Sequence, residues 1–290
     1  MLWFAGYGLL LAVCFCRPLF ELGRYAAKTD LFSHIPLIPL VSAYLVWQKR
    51  GELAAMGARP SRWAALPLLL GLTAIGTYGL LWQRGWRPVP EDALCVLMFA
   101  FYCLLLAGGF LFLGSGQMYA LAFPLGFLVF LVPFPVFVMD ALEVFFQHTS
   151  ADATNGMLAL TGMPFLRDGL VFRLPGITIQ VAQECSGIRS SLVLFITSLL
   201  AGHLFLRTLW RRAFLACFVV PLGILRNGFR IFTISMLCVH VDPNMINSPI
   251  HRQGGPLFFA LSLLPFFLVL FYLRKSESGR GGDDVETNQT

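Results

Sequence analysis

Long apolar runs separated by short basic or turn-forming clusters dominate the chain. They predict eight membrane spans at about 2–22, 31–47, 63–82, 93–113, 118–134, 186–206, 213–240 and 256–273. A helix needs about 20 apolar residues, and no fewer than about 17, to cross the hydrocarbon of a bilayer. The first run has no charged n-region and no convincing cleavage site, so it reads as a retained span and not as a signal peptide. Between the fifth and sixth runs the pattern changes twice. From 136 to 160, Asp140, Glu143, Gln147, His148, Asp152 and Asn155 interrupt the apolar positions too often for a span. Leu142, Phe145, Phe146 and Ala153 still recur at roughly helical spacing, which predicts an amphipathic helix lying at the interface. From 165 to 181, apolar and polar residues alternate through 170–174 and 177–181 around the turn pair Pro175-Gly176, which predicts a short β-hairpin. Extended backbone cannot face lipid, so the hairpin belongs outside the hydrocarbon.

The expected fold class is therefore an all-α polytopic membrane protein: about eight transmembrane helices, an interfacial helix and a short outer-face β-hairpin. It forms one membrane domain over 1–275, with the helix and hairpin at 136–184 and a catalytic half at 165–273. Glycines, acids and small polar residues at 276–290 predict a disordered tail.

Composition fits this reading, since 57% of the 290 residues are hydrophobic and 12% are charged, against roughly 25% charged in a typical soluble chain. The net charge of +6 does not point to nucleic acid, because lysine and arginine gather at the ends of the apolar runs. Lys49, Arg50, Arg59 and Arg62 mark one cytoplasmic loop, Arg207, Arg211 and Arg212 a second, and Arg274 and Lys275 the end of the last span. Arg84 and Arg87 on the far side run against this bias. With both termini cytoplasmic, Cys185 and the segment 241–255 fall on the outer side.

Chemistry concentrates there. Of seven cysteines, Cys14, Cys16, Cys95, Cys103, Cys217 and Cys238 lie inside apolar runs as packing residues, so a disulfide framework is not expected. Cys185 instead sits in Glu184-Cys185-Ser186-Gly187-Ile188-Arg189-Ser190-Ser191, at the start of a span. A thiol at a membrane surface beside donors and a cation can ionise and become a nucleophile. Arg226 and Arg230 share one helix face, with Asn227 within a turn of both. Charges inside a bilayer cost a few kcal/mol each and tend to mark function or a paired charge. Arg230 lies eighteen residues beyond Arg212, about 27 Å along a helix, which brings it near the depth of Cys185; Arg226 lies a turn deeper. His251, before the last span, is the candidate proton carrier. His240, His34 and His148 compete with it by side of membrane, and His203 falls at the cytoplasmic end of its span. Thiol, cation and imidazole together suit acyl transfer through a thioester. No metal-ligand spacing occurs, and no cofactor is expected.

These residues give the chain a resemblance to the exosortase and archaeosortase family of polytopic membrane transpeptidases. It rests on Glu184-Cys185-Ser186-Gly187-Ile188-Arg189-Ser190, on Asn227-Gly228-Phe229-Arg230 preceded by Pro221-Leu222-Gly223-Ile224-Leu225, and on His251 with Gly254 and Gly255. The resemblance implies a cysteine peptidase and transpeptidase at the outer face of a cytoplasmic (inner) membrane. Its partners would be membrane-anchored proteins carrying a C-terminal sorting tag: a short motif, a hydrophobic helix and a basic cluster, best known as the Pro-Glu-Pro tag. The acceptor, lipid or polysaccharide, stays open. Cys185 becomes the nucleophile, His251 the proton donor and acceptor, and Glu184, Ser186, Arg189 and Asn227 supporting residues. An Asn-x-x-Arg pattern selects Arg230 as charge stabiliser and an Arg-Asn pair selects Arg226; depth favours Arg230. A tag helix would enter laterally, where Gly202 or Gly223 permits close approach. Two other classes stay open: an acyltransferase carrying its acyl group on Cys185, and a transporter whose path is lined by Arg226, Arg230 and Glu184.

Overall fold

The computed structural model describes residues 2–29, 32–183, 186–250 and 254–286. The chain divides into two compact units, Met1–Met139 and Asp140–Thr290.

In the first unit, α1 (Leu2–Cys14), α2 (Cys16–Lys28), α3 (Leu37–Gln48), α4 (Arg50–Ala55), α5 (Ala65–Gln83), α6 (Pro90–Phe112), α7 (Gly114–Ala120) and α8 (Ala122–Phe127) follow in order. Helix α6 is the central post, with Leu94, Met98, Ala100 and Phe101 buried against Leu11, Phe15 and Leu22 of the N-terminal segment. The α4 end is tied to α7 by Gln117, whose Nε2 donates to the carbonyls of Leu53 (3.1 Å) and Met56 (2.8 Å). A buried amide that spans two carbonyls satisfies backbone groups that lipid could not.

The expected eight spans are not all found as continuous helices. Among the described residues, five helices are long and apolar enough to cross a membrane: Arg62–Gln83, Pro90–Phe112, Ile188–Phe205, Leu209–His240 and Gly255–Glu277. The first and fifth expected spans are instead bent pairs, by 74° between Trp3–Cys14 and Cys16–Lys28 and by 73° between Gly114–Ala120 and Ala122–Leu131, giving up to seven spans if each pair is one. The second is only the short α3. Both bends have the same cause. Pro18 has no N–H for the carbonyl of Cys14, and Pro124 has none for that of Ala120, so each helix breaks three residues before its proline, at Phe15 and Leu121. Pro221 and Pro265, by contrast, sit inside continuous helices.

The second unit takes up most of α9 (Val136–Leu160), followed by β1 (Leu166–Asp168), β2 (Val171–Leu174), β3 (Ile177–Gln180), α10 (Ile188–Phe205), α11 (Leu209–His240) and α12 (Gly255–Glu286). The expected hairpin gains a strand: β1, β2 and β3 form an antiparallel meander in which Arg167 faces Phe172 and Phe172 faces Ile179. Gly169 and Gly176, both at positive φ, make its turns. Its apolar face, with Phe172, Leu174, Ile179 and Val181, packs on Ala151 and Leu158 of α9 and on Ile231, Ile234 and Cys238 of α11. Arg167 pins β1 to α9 through an Nη2–Oδ1 ion pair of 2.7 Å with Asp152. Helix α9 is present where the pattern placed it, with Asp140, His148 and Asp152 exposed eight and four residues apart, while Gln147, Ser150 and Thr154 are buried on another face.

At the other end of this unit, the Glu277 carboxylate accepts from the backbone N–H groups of Arg207 (2.9 Å) and Thr208 (2.8 Å) and pairs with Arg211 (3.4 Å). It thus caps the start of α11 from α12, past Lys275 in the segment read as a tail. Glu277→Ala is expected to cost about 1–2 kcal/mol, seen as a lower midpoint of thermal unfolding in detergent. An unchanged midpoint would show that water caps this helix equally well.

Candidate functional site

Glu184, Cys185 and His251 lie outside the described residues, so the site is built from what surrounds them in sequence. On one side, β3 delivers the chain through Val181, whose N–H donates to Leu170 and whose carbonyl accepts from Gln147 Nε2 of α9. On the other side, the Ser186 N–H donates to Gln183 across the two residues between them (2.9 Å). Gly187 then takes φ +74° and α10 begins at Ile188. Cys185 is therefore two positions before the N-cap of α10. A helix start carries unpaired N–H groups and a partial positive charge, which favours an anion nearby.

Position 187 is closed to any other residue. A positive φ strains an L-residue, and a Cβ there would also stand 2.7 Å from Asn227 Cγ. Gly187→Ala is expected to cost about 1–3 kcal/mol and to lower activity at least tenfold. Gly202→Ala is the control, because its Cβ would meet Arg212 at an ordinary 3.6 Å. If Gly187→Ala behaved like Gly202→Ala, the turn could be redrawn and would not fix the neighbouring loop.

The Gly187 carbonyl collects three donors: the Ser191 N–H (3.1 Å), Ser190 Oγ (3.1 Å) and Arg226 Nη2 (3.1 Å). Arg226 Nη2 also donates to Ser191 Oγ (3.3 Å). The Arg226 side chain is thus turned toward the start of α10, and the residue is only 8% exposed. Its Nη1 is buried and has no hydrogen-bond partner among the described residues. Asn227, 2% exposed, packs beneath Gly187, while Arg230 is half-buried one turn further on. The structure thus brings Ser186, Gly187, Ser191, Arg226 and Asn227 together. Arg189 is exposed on α10, as are His148 on α9 and His240 at the end of α11.

Two close helix crossings hold this geometry. At Gly223 the space a Cβ would fill is taken by Ser191, with Oγ at 2.6 Å from that position, so this glycine is used for packing α11 on α10 and leaves no gap there for a substrate helix. One turn on, Thr154 Oγ1 of α9 donates to the Gly228 carbonyl (3.2 Å). Gln147, one of the polar positions of α9, and Thr154 therefore fasten α9 to the end of the sheet and to α11. Their signal was in the sequence as polarity on two sides of one helix. The pairing partners, backbone carbonyls far along the chain, were not.

A chain of membrane-length helices with a buried guanidinium beside the start of one of them is a multi-pass membrane protein with a polar site set into its second unit. It belongs to the transmembrane exosortase family (Exosortase_EpsH), whose model matches residues 26–268. Membership supports a role as a membrane protease or transpeptidase. Comparison with curated proteins and with solved structures returns no match.

Proposed function

We propose that this protein is a membrane cysteine peptidase and transpeptidase that removes a C-terminal sorting tag from exported proteins at the outer face of the cytoplasmic membrane. The Cys185 thiolate attacks the carbonyl carbon of the scissile peptide bond, and the carbonyl oxygen gains the negative charge. Collapse of that intermediate breaks the C–N bond, His251 gives a proton to the departing amine, and the exported protein is left as a thioester on Cys185. An acceptor nucleophile from a lipid or polysaccharide, or water, then attacks the thioester, loses its proton to His251 and releases the thiolate.

The observation that carries this reading is the Arg226 guanidinium. Nη2 is held by the Gly187 carbonyl and Ser191 Oγ, two and six residues after Cys185, and Nη1 has no partner among the described residues. An unpaired buried donor is costly unless another partner arrives, and a thiolate or an oxyanion is such a partner. Depth along the helix favours Arg230 for this role, whereas hydrogen bonding favours Arg226. We assign Arg226 to the charge and Arg230 to the field around it, since a second cation one turn away on the same face also favours an anion.

The test is co-expression with a protein carrying a tag motif, a hydrophobic helix and a basic cluster. The expected product is shorter, and intact mass places its new C-terminus within the motif. An added mass on that terminus means transfer and a free carboxylate means hydrolysis. A substrate that stays full length across several tag variants, with Cys185 carrying a fatty acyl group, would replace this reading with the acyltransferase one.

A further inference from the structure

The first unit contains a cavity of about 500 Å³ that the proposed chemistry does not use. It lies among α1, α2, α3, α6 and α8, with Val46, Trp47, Phe101, Leu105 and Leu128 in its lining. The volume is in the range of small-molecule sites, about 300–1,000 Å³. Nearly all of the lining is apolar, so water is not its natural filling.

One polar group breaks this lining. Ser42 lies on α3, is 3% exposed, lines the cavity, and its Oγ has no hydrogen-bond partner among the described residues. Most described hydroxyls on the helices do otherwise, with Ser150 Oγ on α9 a second one left without a partner among the described residues. Thr73, Thr77, Thr154, Thr197, Thr233 and Ser235 each bond the carbonyl four residues back, the usual resort of a hydroxyl in an apolar setting. Ser42 makes no such bond. A buried hydroxyl left without a partner costs about 1–3 kcal/mol, and an acceptor inside the cavity removes that cost.

The charge at one end of the cavity says what the acceptor belongs to. Lys49 and Arg50 follow α3 directly, Lys49 as its C-cap and Arg50 as the first residue of α4. The Arg50 guanidinium lies 4.2 Å from the ring centroid of Trp47, a lining residue. The Lys49 ammonium donates to the Ala120 carbonyl (2.7 Å), which uses one of its three protons. An apolar chain, an oxygen acceptor at its head and a negative group beyond it are together an anionic glycerophospholipid. A substrate's transmembrane helix, 10–12 Å across with its side chains, does not suit a cavity of about 500 Å³. We propose that this cavity is a binding site for one anionic glycerophospholipid: an acyl chain fills it, the ester carbonyl accepts from Ser42 Oγ, and the phosphate meets Lys49 and Arg50.

The full-length protein is reconstituted in vesicles containing either phosphatidylglycerol or phosphatidylcholine with a diazirine in one acyl chain, photolysed and mapped by peptide mass spectrometry. Labelling is expected at residues 37–48 and 90–112, at least about fivefold stronger with phosphatidylglycerol, given about 1 kcal/mol for each basic residue near an anionic headgroup. Ser42→Ala, which leaves the packing nearly unchanged, lowers that labelling about fivefold, and Arg50→Gln removes most of the preference between the two lipids. Three results overturn the proposal: equal labelling by both lipids, labelling of α3 no denser than that of the exposed helix α5, or rapid reaction of Ser42→Cys with a water-soluble maleimide, which marks a wet cavity. Because none of these readouts involves cleavage, they stand or fall separately from the peptidase reading.

Discussion

Cys185→Ala leaves a co-expressed tagged substrate at full length, with a loss of at least about a thousandfold in cleavage rate, because no other group on the path can form the thioester. Cys185→Ser is expected to do almost as badly. A hydroxyl is far less acidic than a thiol, and a cation able to hold a thiolate does too little to ionise it. The two variants separate the readings that the residues alone left open. A transporter lined by Arg226 and Arg230 keeps its function in Cys185→Ser, and a peptidase does not. Trapping adds a positive signal: wild-type protein quenched in acid during turnover should contain a Cys185 peptide carrying the substrate's new C-terminal residue, absent from both variants. Cleavage that persists in Cys185→Ala, in protein with an unchanged thermal midpoint, would move the nucleophile elsewhere.

The runs of apolar residues announced a membrane protein, because burial in lipid constrains composition along a whole helix and leaves a signal about twenty residues long. They did not announce the breaks at Phe15 and Leu121. Those depend on one missing N–H each, at Pro18 and Pro124, and the same residue type at Pro221 and Pro265 leaves a continuous helix. Hydropathy averages over such single hydrogen bonds and so cannot see them. The β-hairpin was legible because alternation has a period of two and Pro175-Gly176 is a strong turn signal. Strand β1, only Leu166–Asp168, is too short to alternate visibly; its ladder to β2 holds it, with the Arg167–Asp152 ion pair to α9 alongside.

The site was half legible. Residue types and order picked out Cys185, Arg226, Asn227, Arg230 and His251 as a set, and helical spacing put the two arginines on one face. Depth counted along α11 favours Arg230, although a guanidinium on a long stem reaches several ångströms either way along a helix. The structure adds a carbonyl: Gly187 adopts a backbone conformation that other residues rarely tolerate, and its oxygen accepts from Arg226. The part played by α9 was hidden for a related reason. Gln147 and Thr154 pair with the backbone of Val181 and Gly228, and a backbone carbonyl carries no mark in the sequence.

Arg226→Gln is the variant that bears hardest on this choice. If the Nη1 group meets the charge that develops during acyl transfer, its loss lowers kcat by about 10²–10³ with little change in KM, the scale for removing one preorganised donor from an oxyanion site. Arg230→Gln is expected to lose about tenfold or less if Arg230 acts through its field. Arg226→Lys keeps the charge but has one terminal nitrogen where the guanidinium has two. It can replace the bond to the Gly187 carbonyl or stand in for Nη1, and recovers only part of the rate. A second readout distinguishes chemistry from structure: alkylation of the Cys185 peptide by iodoacetamide follows the thiolate fraction, so it slows in Arg226→Gln if the cation holds the thiolate. It stays as in wild type if Arg226 only pins α10 to α11. Reversal of the order, with Arg226→Gln active and Arg230→Gln dead, returns the role to Arg230 and leaves Arg226 as the clasp that keeps the Gly187 turn in place.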